Sequence, residues 1–490
     1  MNDVVETHTG LVFLVGDRAY KVKKPVVTDF LDFSTVASRE RACAHEVMLN
    51  RRLAPDSYLG VGHFSSPDGT AEPVIVMRRH SDTNRLATMV RRGDDVSGQL
   101  DAVAAVLARF HAGAARSRQV DDEARVAAVD RRWSDNLDEL ARYAKDGVAG
   151  LDPTDIAEIT RLATVFTAGR AALFARRIAE SRIVDGHADL LADDIFCLPD
   201  GPALLDCLEF DDRLRYVDVV DDAAFLAMDL EFLGRPELGQ FFLRRYLSMT
   251  SDDAPASLCH FYIAYRAGVR AKVDCVRITQ GHPEAGADAR RHLGIALAHL
   301  RAGAVRLILI GGGPGTGKTT LAHALAESID AQVISTDDVR AEMAARGDIG
   351  GEPGMLGEGL YTPANIEAVY GAVLRRAQRE LSEGRSVILD GTWRDEHSRL
   401  RARDVAAAAS ADIVELVCSA ALETTLGRIN TRTSTTSQAT TAIATALAGH
   451  DDAGWPEAHR IDTSSSLAHA VAEAQAVLRP GQSLVNGSPR

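Results

Sequence analysis

The segment AVRLILIGGGPGTGKTTLAHALAESI, residues 304–329, constrains the fold more than any other part of the chain. The apolar run within Val305–Ile310 is the mark of a strand buried on both faces, as in parallel sheets. Leu321, Leu325 and Ile329 then repeat at helical spacing. Between strand and helix, Gly312 to Thr319 fits the pattern G-x-x-x-x-G-K-[ST]. Gly312, Gly313, Pro314, Gly315, Thr316 and Gly317 form a turn whose backbone N–H groups can face a phosphate. The following helix, carrying Lys318, Thr319 and Thr320, adds its positive end. The pattern assigns Lys318 to the β- and γ-phosphates and the Thr319 hydroxyl to Mg2+. It therefore predicts ATP and Mg2+ as cofactors.

Further strand candidates follow in AQVISTDDVR, GRSVILDGTW and ADIVELVCSA. Strands alternating with helices predict a doubly wound α/β domain. Carboxylates at strand ends in such a domain face the ligand crevice. Asp337 is thus a candidate to take a proton from an acceptor hydroxyl or to hold Mg2+ through water, and Asp390 a candidate metal ligand. A helix N-cap is the alternative role for each. This domain resembles the P-loop small-molecule kinases of the gluconate kinase, chloramphenicol phosphotransferase and zeta-toxin type. That resemblance matches Ser335, Asp337 and Arg340 to the acceptor-serving stretch. It matches Arg428 and Arg432 to lid arginines that neutralise the transferring phosphoryl group. Arg394 and Arg399 are further candidates for the acceptor site.

A second device lies upstream, in DGHADLLADDIFCLPDGPALLDCLEF, residues 185–210. Kinases need one carboxylate to receive the hydroxyl proton and another to hold Mg2+. Asp189 follows His187 by two residues, and Asp206 ends a predicted strand further on. This spacing resembles aminoglycoside phosphotransferases and related sugar and choline kinases. The resemblance implies Asp189 as catalytic base, Asp206 as metal ligand and His187 as a structural brace. It puts Lys21, in AYKVKK, on the phosphates, with Lys23 as the second choice. Glu46 becomes the helix-borne partner of the lysine, with Glu40 behind it. Asp218 and Asp222 match an acidic cluster of structural character. Two departures stand out. Asp194 occupies a position where the related kinases carry asparagine, which adds negative charge beside two carboxylates. No strand–glycine-rich loop–strand is expected ahead of Lys21, so that the nucleotide lid reduces to THTG.

Over nearly its whole length the chain resembles bacterial fusion proteins joining an aminoglycoside phosphotransferase-like domain to a P-loop domain. The strings LDFST, LNRRLAPD and AFLAMDLEFLGRP add to that resemblance. The expected fold is α/β and α+β: a bilobal kinase-like half followed by a doubly wound parallel-sheet domain. The expected boundaries are 1–80 for a small lobe, 81–302 for a helical lobe, 303–482 for the P-loop domain and 483–490 for a tail.

The net charge of -14 opposes polyphosphate backbones and argues against nucleic acid as partner. The six cysteines are scattered without a C-x-x-C pair, which suits reduced thiols. No apolar run reaches membrane-helix length, and MNDVVETHTG does not read as a secretory leader, so the cytoplasm is the expected compartment. The expected partners are a nucleoside triphosphate and a small hydroxylated acceptor. Two functions fit: a phosphotransferase led by the P-loop domain, or a nucleotide-gated ligand-binding regulator whose first half is a degenerate kinase.

Overall fold

A computed structural model describes residues 3–6, 10–28, 31–65, 71–352, 357–430 and 455–478. The chain forms two compact units. One is built mainly from residues up to Leu300. The other runs from Arg301 onward and also includes Arg161–Leu173 and Pro255–Ser257. No helix among the described residues is long and apolar enough to cross a membrane.

The second unit is organised by a five-stranded parallel sheet. Its order is Ala331–Ser335, Ser386–Asp390, Arg306–Gly311, Asp412–Ser419, His459–Asp462. The strand that opens the P-loop is central, and its alternating side chains supply two cores. Leu307 and Leu309 pack with Val369, Val373 and Leu374 of the helix Pro363–Ser382. Ile308 and Ile310 pack on the other face with Leu321 and Leu325 of Lys318–Ile329 and Ala470 of Leu467–Leu478. Burial on both faces explains why these strands read as continuous apolar runs. The register sets Asp390 opposite both Ile310 and Ser335, so the strands end level at one edge. This is the doubly wound arrangement expected from the sequence.

The first unit begins with a five-stranded antiparallel sheet ordered Asp3–Glu6, Gly10–Val15, Arg18–Lys23, Ala71–Arg78, Tyr58–Ser65. The helix Val36–Asn50, capped by the Thr35 hydroxyl, lies against it through Cys43 and Val47. One expectation is corrected here. A strand–loop–strand does precede the lysine strand, because Asp3–Glu6 pairs with Leu11–Leu14. The strand Asp3–Glu6 is short and carries two acids, so it gives no apolar signal. Most of THTG falls outside the described residues.

Below this sheet the unit becomes helical, apart from small antiparallel pairs. Ile195–Leu198 pairs with Gly201–Leu204, and Ile183–Asp185 with Tyr216–Asp218. Phe196, Ala203 and Leu205 join the Cys43, Val47 and Ile75 core, so the hairpin seats the lysine sheet directly. A small lysine-bearing sheet with one helix, followed by a helical lobe, is the kinase-like arrangement. The other pair is pinned from behind. Buried Arg177 donates to Asp218 at 2.7 and 2.8 Å and to Asp252 at 2.5 and 2.9 Å. Removing one partner of a buried charge cluster costs about 3–5 kcal/mol. Asp252→Ala should lower the unfolding free energy of the first unit by an amount in that range, read as a lower urea midpoint at unchanged slope by its tryptophan fluorescence, and spare the second unit.

Candidate active sites

In the second unit, Gly312 leaves the central strand with φ of 131°. A Cβ there would sit 2.5 Å from the Cys418 carbonyl oxygen, so the turn needs glycine on both counts. Gly317, at φ 87°, precedes the helix Lys318–Ile329. The Lys318 ammonium donates to the Gly313 carbonyl at 2.9 Å, and the Thr316 hydroxyl donates to the same oxygen at 2.8 Å. The Thr319 hydroxyl donates to Asp390 at 2.7 Å. Thr320 is exposed one residue further on. Burial pushes the Asp390 carboxyl up, opposed by Lys318 and the Thr319 hydrogen bond.

A hydroxyl and a carboxylate in contact beside a phosphate turn are hard oxygen donors of the kind Mg2+ prefers. Among the described residues no group of three His, Cys, Asp or Glu side chains could hold an ion alone. Mg2+ commonly takes one or two carboxylates and completes its shell with water and phosphate. The residues present therefore fit such an ion arriving with a nucleotide.

Asp337 sits in the first turn of the helix Thr336–Arg346, but the cap is Ser335, whose hydroxyl accepts from the Asp337 N–H at 3.2 Å. The capping alternative for Asp337 is thereby corrected. Its carboxylate is held by Arg340 at 2.5 Å, and that guanidinium lies 4.4 Å from the centre of the Tyr361 ring. Arg428 reaches the loop: its Nη2 donates to the Thr463 carbonyl at 2.6 Å, and its Nη1 lies 3.3 Å from where a Gly317 Cβ would be. Arg432 lies outside the described residues. Arg399 is buried and donates to the carbonyls of Trp393 and Arg394 at 2.9 Å each. It braces the loop after Asp390, which corrects its place as an acceptor-site candidate.

In the first unit, Lys21 donates to Glu46 at 2.8 Å and to Asp206 at 2.6 Å. Residues Ala19, Lys21 and Lys23 alternate onto the buried face of their strand. Lys23 therefore meets the other oxygen of Glu46 at 2.5 Å and also pairs with Glu209. Burial lowers the affinity of Lys21 for its proton, but Asp206 and Glu46 outweigh it and the ammonium is firmly charged. Glu40 is elsewhere, exposed and paired with His63 at 2.8 Å. The sequence's second choice for the partner is thus corrected.

Behind the loop, Asp222 accepts from the backbone N–H of His187 at 2.7 Å, from Ala188 at 2.8 Å and from His111 at 2.9 Å. The His187 ring spans to the Leu205 carbonyl at 3.0 Å, and burial keeps it neutral. Histidine is a brace and Asp222 an anchor. Asp206 itself has φ of 62°, an uncommon conformation for a non-glycine residue, and its N–H donates to the Tyr58 hydroxyl at 3.2 Å. Burial pushes Asp206 up, yet Lys21 outweighs it and the carboxyl titrates below the usual range. Burial pushes Asp189 up to about 6, against the pull of Arg270. Asp194 is pushed well up by burial, with Asp206 and Asp189 adding repulsion.

The AAA domain family matches residues 307–450. The uncharacterized protein Rv2004c of Mycobacterium tuberculosis (strain ATCC 25618 / H37Rv) is 56% identical over 478 residues, which is 97% of this chain and 95% of the relative. The chain belongs to the Rv2004c family. The uncharacterized protein Mb2027c of Mycobacterium bovis (strain ATCC BAA-935 / AF2122/97) matches with the same identity and coverage. Among solved structures, a choline/ethanolamine kinase family protein from Mesorhizobium loti is 15% identical at a TM-score of 0.37, covering 61% of this chain and 92% of that one. A gluconokinase from Sinorhizobium meliloti 1021 is 17% identical at a TM-score of 0.27, covering 36% and 93%.

Several site residues of this Rv2004c family member carry no local sequence signal. Thr463 ties the P-loop down, its hydroxyl donating to the Thr316 carbonyl at 2.5 Å. Trp455 closes the space behind Gly311, where a Cβ would approach its ring to 2.2 Å. Arg270 reaches the Asp189 loop from a helix that reads as ordinary amphipathic sequence. Overpacking a tight site costs about 1–3 kcal/mol. Gly312→Ala should lower the urea midpoint of the second unit by about that free energy and leave the first unit's transition in place.

Proposed function

We propose that the chain is an ATP- and Mg2+-dependent phosphotransferase that phosphorylates a hydroxyl of a small molecule, with the P-loop unit as the main catalyst. The observation that carries this reading is the convergence at one sheet edge of Lys318, the Thr319–Asp390 pair and Asp337. Lys318 leaves its own Gly313 carbonyl for the triphosphate. The acceptor oxygen attacks the γ-phosphorus, its proton passing to Asp337. The bond to the bridging oxygen breaks and its electron pair leaves with ADP. Arg428 and Arg340 supply positive charge on the two sides of the crevice, Arg340 also steering the Asp337 carboxylate. Mg2+ bound with the nucleotide would neutralise developing charge on the phosphate oxygens. Arg432 remains assigned by resemblance alone to the same neutralising role.

A second reading treats the first unit as a nucleotide-gated ligand sensor. The observation favouring it is Lys21 tied to Asp206 at 2.6 Å, with Asp194 as a further acid nearby. The lysine and the candidate metal ligand then neutralise each other, and both must let go before Mg–ATP enters.

A metabolite library assayed for ATP-dependent phosphorylation, with the parent chain, Lys318→Ala and Asp189→Ala, separates these readings. Loss of a preorganised electrostatic group typically costs 10²–10³-fold in rate. Lys318→Ala should fall by about that factor, and Asp189→Ala should retain the main activity. Loss confined to Asp189→Ala would move the chemistry to the first unit. Ligand binding without any phosphorylated product would favour the sensor. A proton acceptor works only when ionised. Any transfer carried by Asp189 should therefore be constant at neutral pH and fall as the pH drops through about 6.

A further inference from the structure

The helix Ala256–Thr279 presents two arginines to the loop that carries Asp189. Arg266 is fully engaged: it grips Asp221 at 2.7 and 3.0 Å, and its Nη1 donates to the Ala188 carbonyl at 3.2 Å. Ala188 is the residue before Asp189. Arg270 follows Arg266 by four positions, one helical turn along the same face. It is half-buried, yet its guanidinium forms no hydrogen bond and no close ion pair with the described residues. Of the charged groups acting on Asp189, Arg270 is the strongest, and it acts on Asp229 as well. Asp229 in turn holds the same loop through the Ala192 N–H at 2.8 Å. The Arg270 guanidinium leaves its five donors to solvent in the empty protein, none of them being enclosed without a partner, so an anion can take the place of water there. A bound oxyanion would satisfy it, with the bidentate geometry that arginine offers to phosphates and carboxylates.

We propose that Arg270 is an oxyanion-binding side chain of the first unit, holding a phosphate or carboxylate group beside Asp189. The proposal rests on the reading of the Asp189 loop as a nucleotide and acceptor site. The oxyanion has two sources: the terminal phosphoryl group of the nucleotide, or an acid group on the acceptor next to its hydroxyl. Neutral acceptors would leave the guanidinium unmet in the second case.

The test uses the full chain carrying Lys318→Ala, which silences the P-loop, with and without Arg270→Ala. Calorimetry measures Mg–ATP, Mg–ADP, and inorganic phosphate added to the Mg–ADP-saturated protein. If Arg270 holds the terminal phosphoryl group, Arg270→Ala weakens Mg–ATP at least tenfold and leaves Mg–ADP unchanged. If it holds an acceptor acid, both nucleotides are unchanged and inorganic phosphate is lost or weakened at least tenfold. Either outcome supports the proposal, and Arg270→Lys should recover part of the affinity by charge alone. Unchanged affinity for all three probes overturns it. Arg270→Gln, which keeps the side chain's length, serves as the control if Arg270→Ala lowers the melting temperature. A Lys318→Ala chain that binds neither nucleotide nor phosphate would defeat the reading of the first unit itself, before any change at Arg270, and the inference with it.

Discussion

The Lys21 ammonium is shared by two carboxylates, Glu46 at 2.8 Å and Asp206 at 2.6 Å, and much of the first unit is arranged to make that sharing stable. One carboxylate comes from a helix packed on the lysine sheet. The other follows a hairpin whose Phe196, Ala203 and Leu205 enter the same core. A buried ammonium is tolerable only with close counter-charges, because desolvation otherwise drives it to lose its proton. The sheet, the helix and the hairpin therefore cannot shift independently without stranding a charge. Lys23 extends the same logic. It takes the second oxygen of Glu46, so Glu46 stays neutralised even when Lys21 is drawn toward another anion.

The second unit fixes its corresponding loop with contacts to the backbone rather than with buried ion pairs. Its loop is fixed by carbonyl contacts from Lys318, Thr316, Thr463 and Arg428. Within the turn the Gly312 N–H donates to the Thr392 carbonyl at 3.5 Å and the Thr316 N–H to the Gly313 carbonyl at 3.4 Å, and the helix end adds a fixed partial charge. The cost is steric: Gly312 has no room for a side chain against Cys418.

This difference explains what could be read from the sequence. The P-loop is contiguous, its strand is an apolar run and its helix is periodic, so turn, sheet type and flanking acids were all legible. The Lys21–Glu46 pair and the Asp189 and Asp206 positions were reachable only through resemblance, since 185 positions separate Lys21 from Asp206. Glu46 and Glu40 both lie on the same helix; the resemblance put Glu46 first, and packing agrees with that order, burying Glu46 and pairing Glu40 with His63. The strand Asp3–Glu6 was missed because its pattern is polar and short. Arg399 was misplaced because an arginine after a strand-end acid looks like a ligand contact, whereas here its Nη1 donates to two backbone carbonyls and its guanidinium lies over the Trp455 ring. Arg270, Thr463 and Trp455 owe their positions to tertiary contacts that leave no trace in local sequence.

The two units also differ in the sign of the charge they hold around their candidate sites. In the first, Glu46, Asp189, Asp194, Asp206, Glu209 and Asp221 face Lys21, Lys23, Arg266 and Arg270, leaving two negative charges in excess among these groups when all are ionised. In the second, Asp337 and Asp390 face Lys318, Arg340 and Arg428, leaving one positive charge in excess. The charges around the second unit's turn favour an anion, and the Thr319–Asp390 pair places two oxygen donors beside it. A triphosphate approaching the first unit meets repulsion that close charges make strong in a low-dielectric site. The first unit thus carries the carboxylate surplus, and the second the positive one.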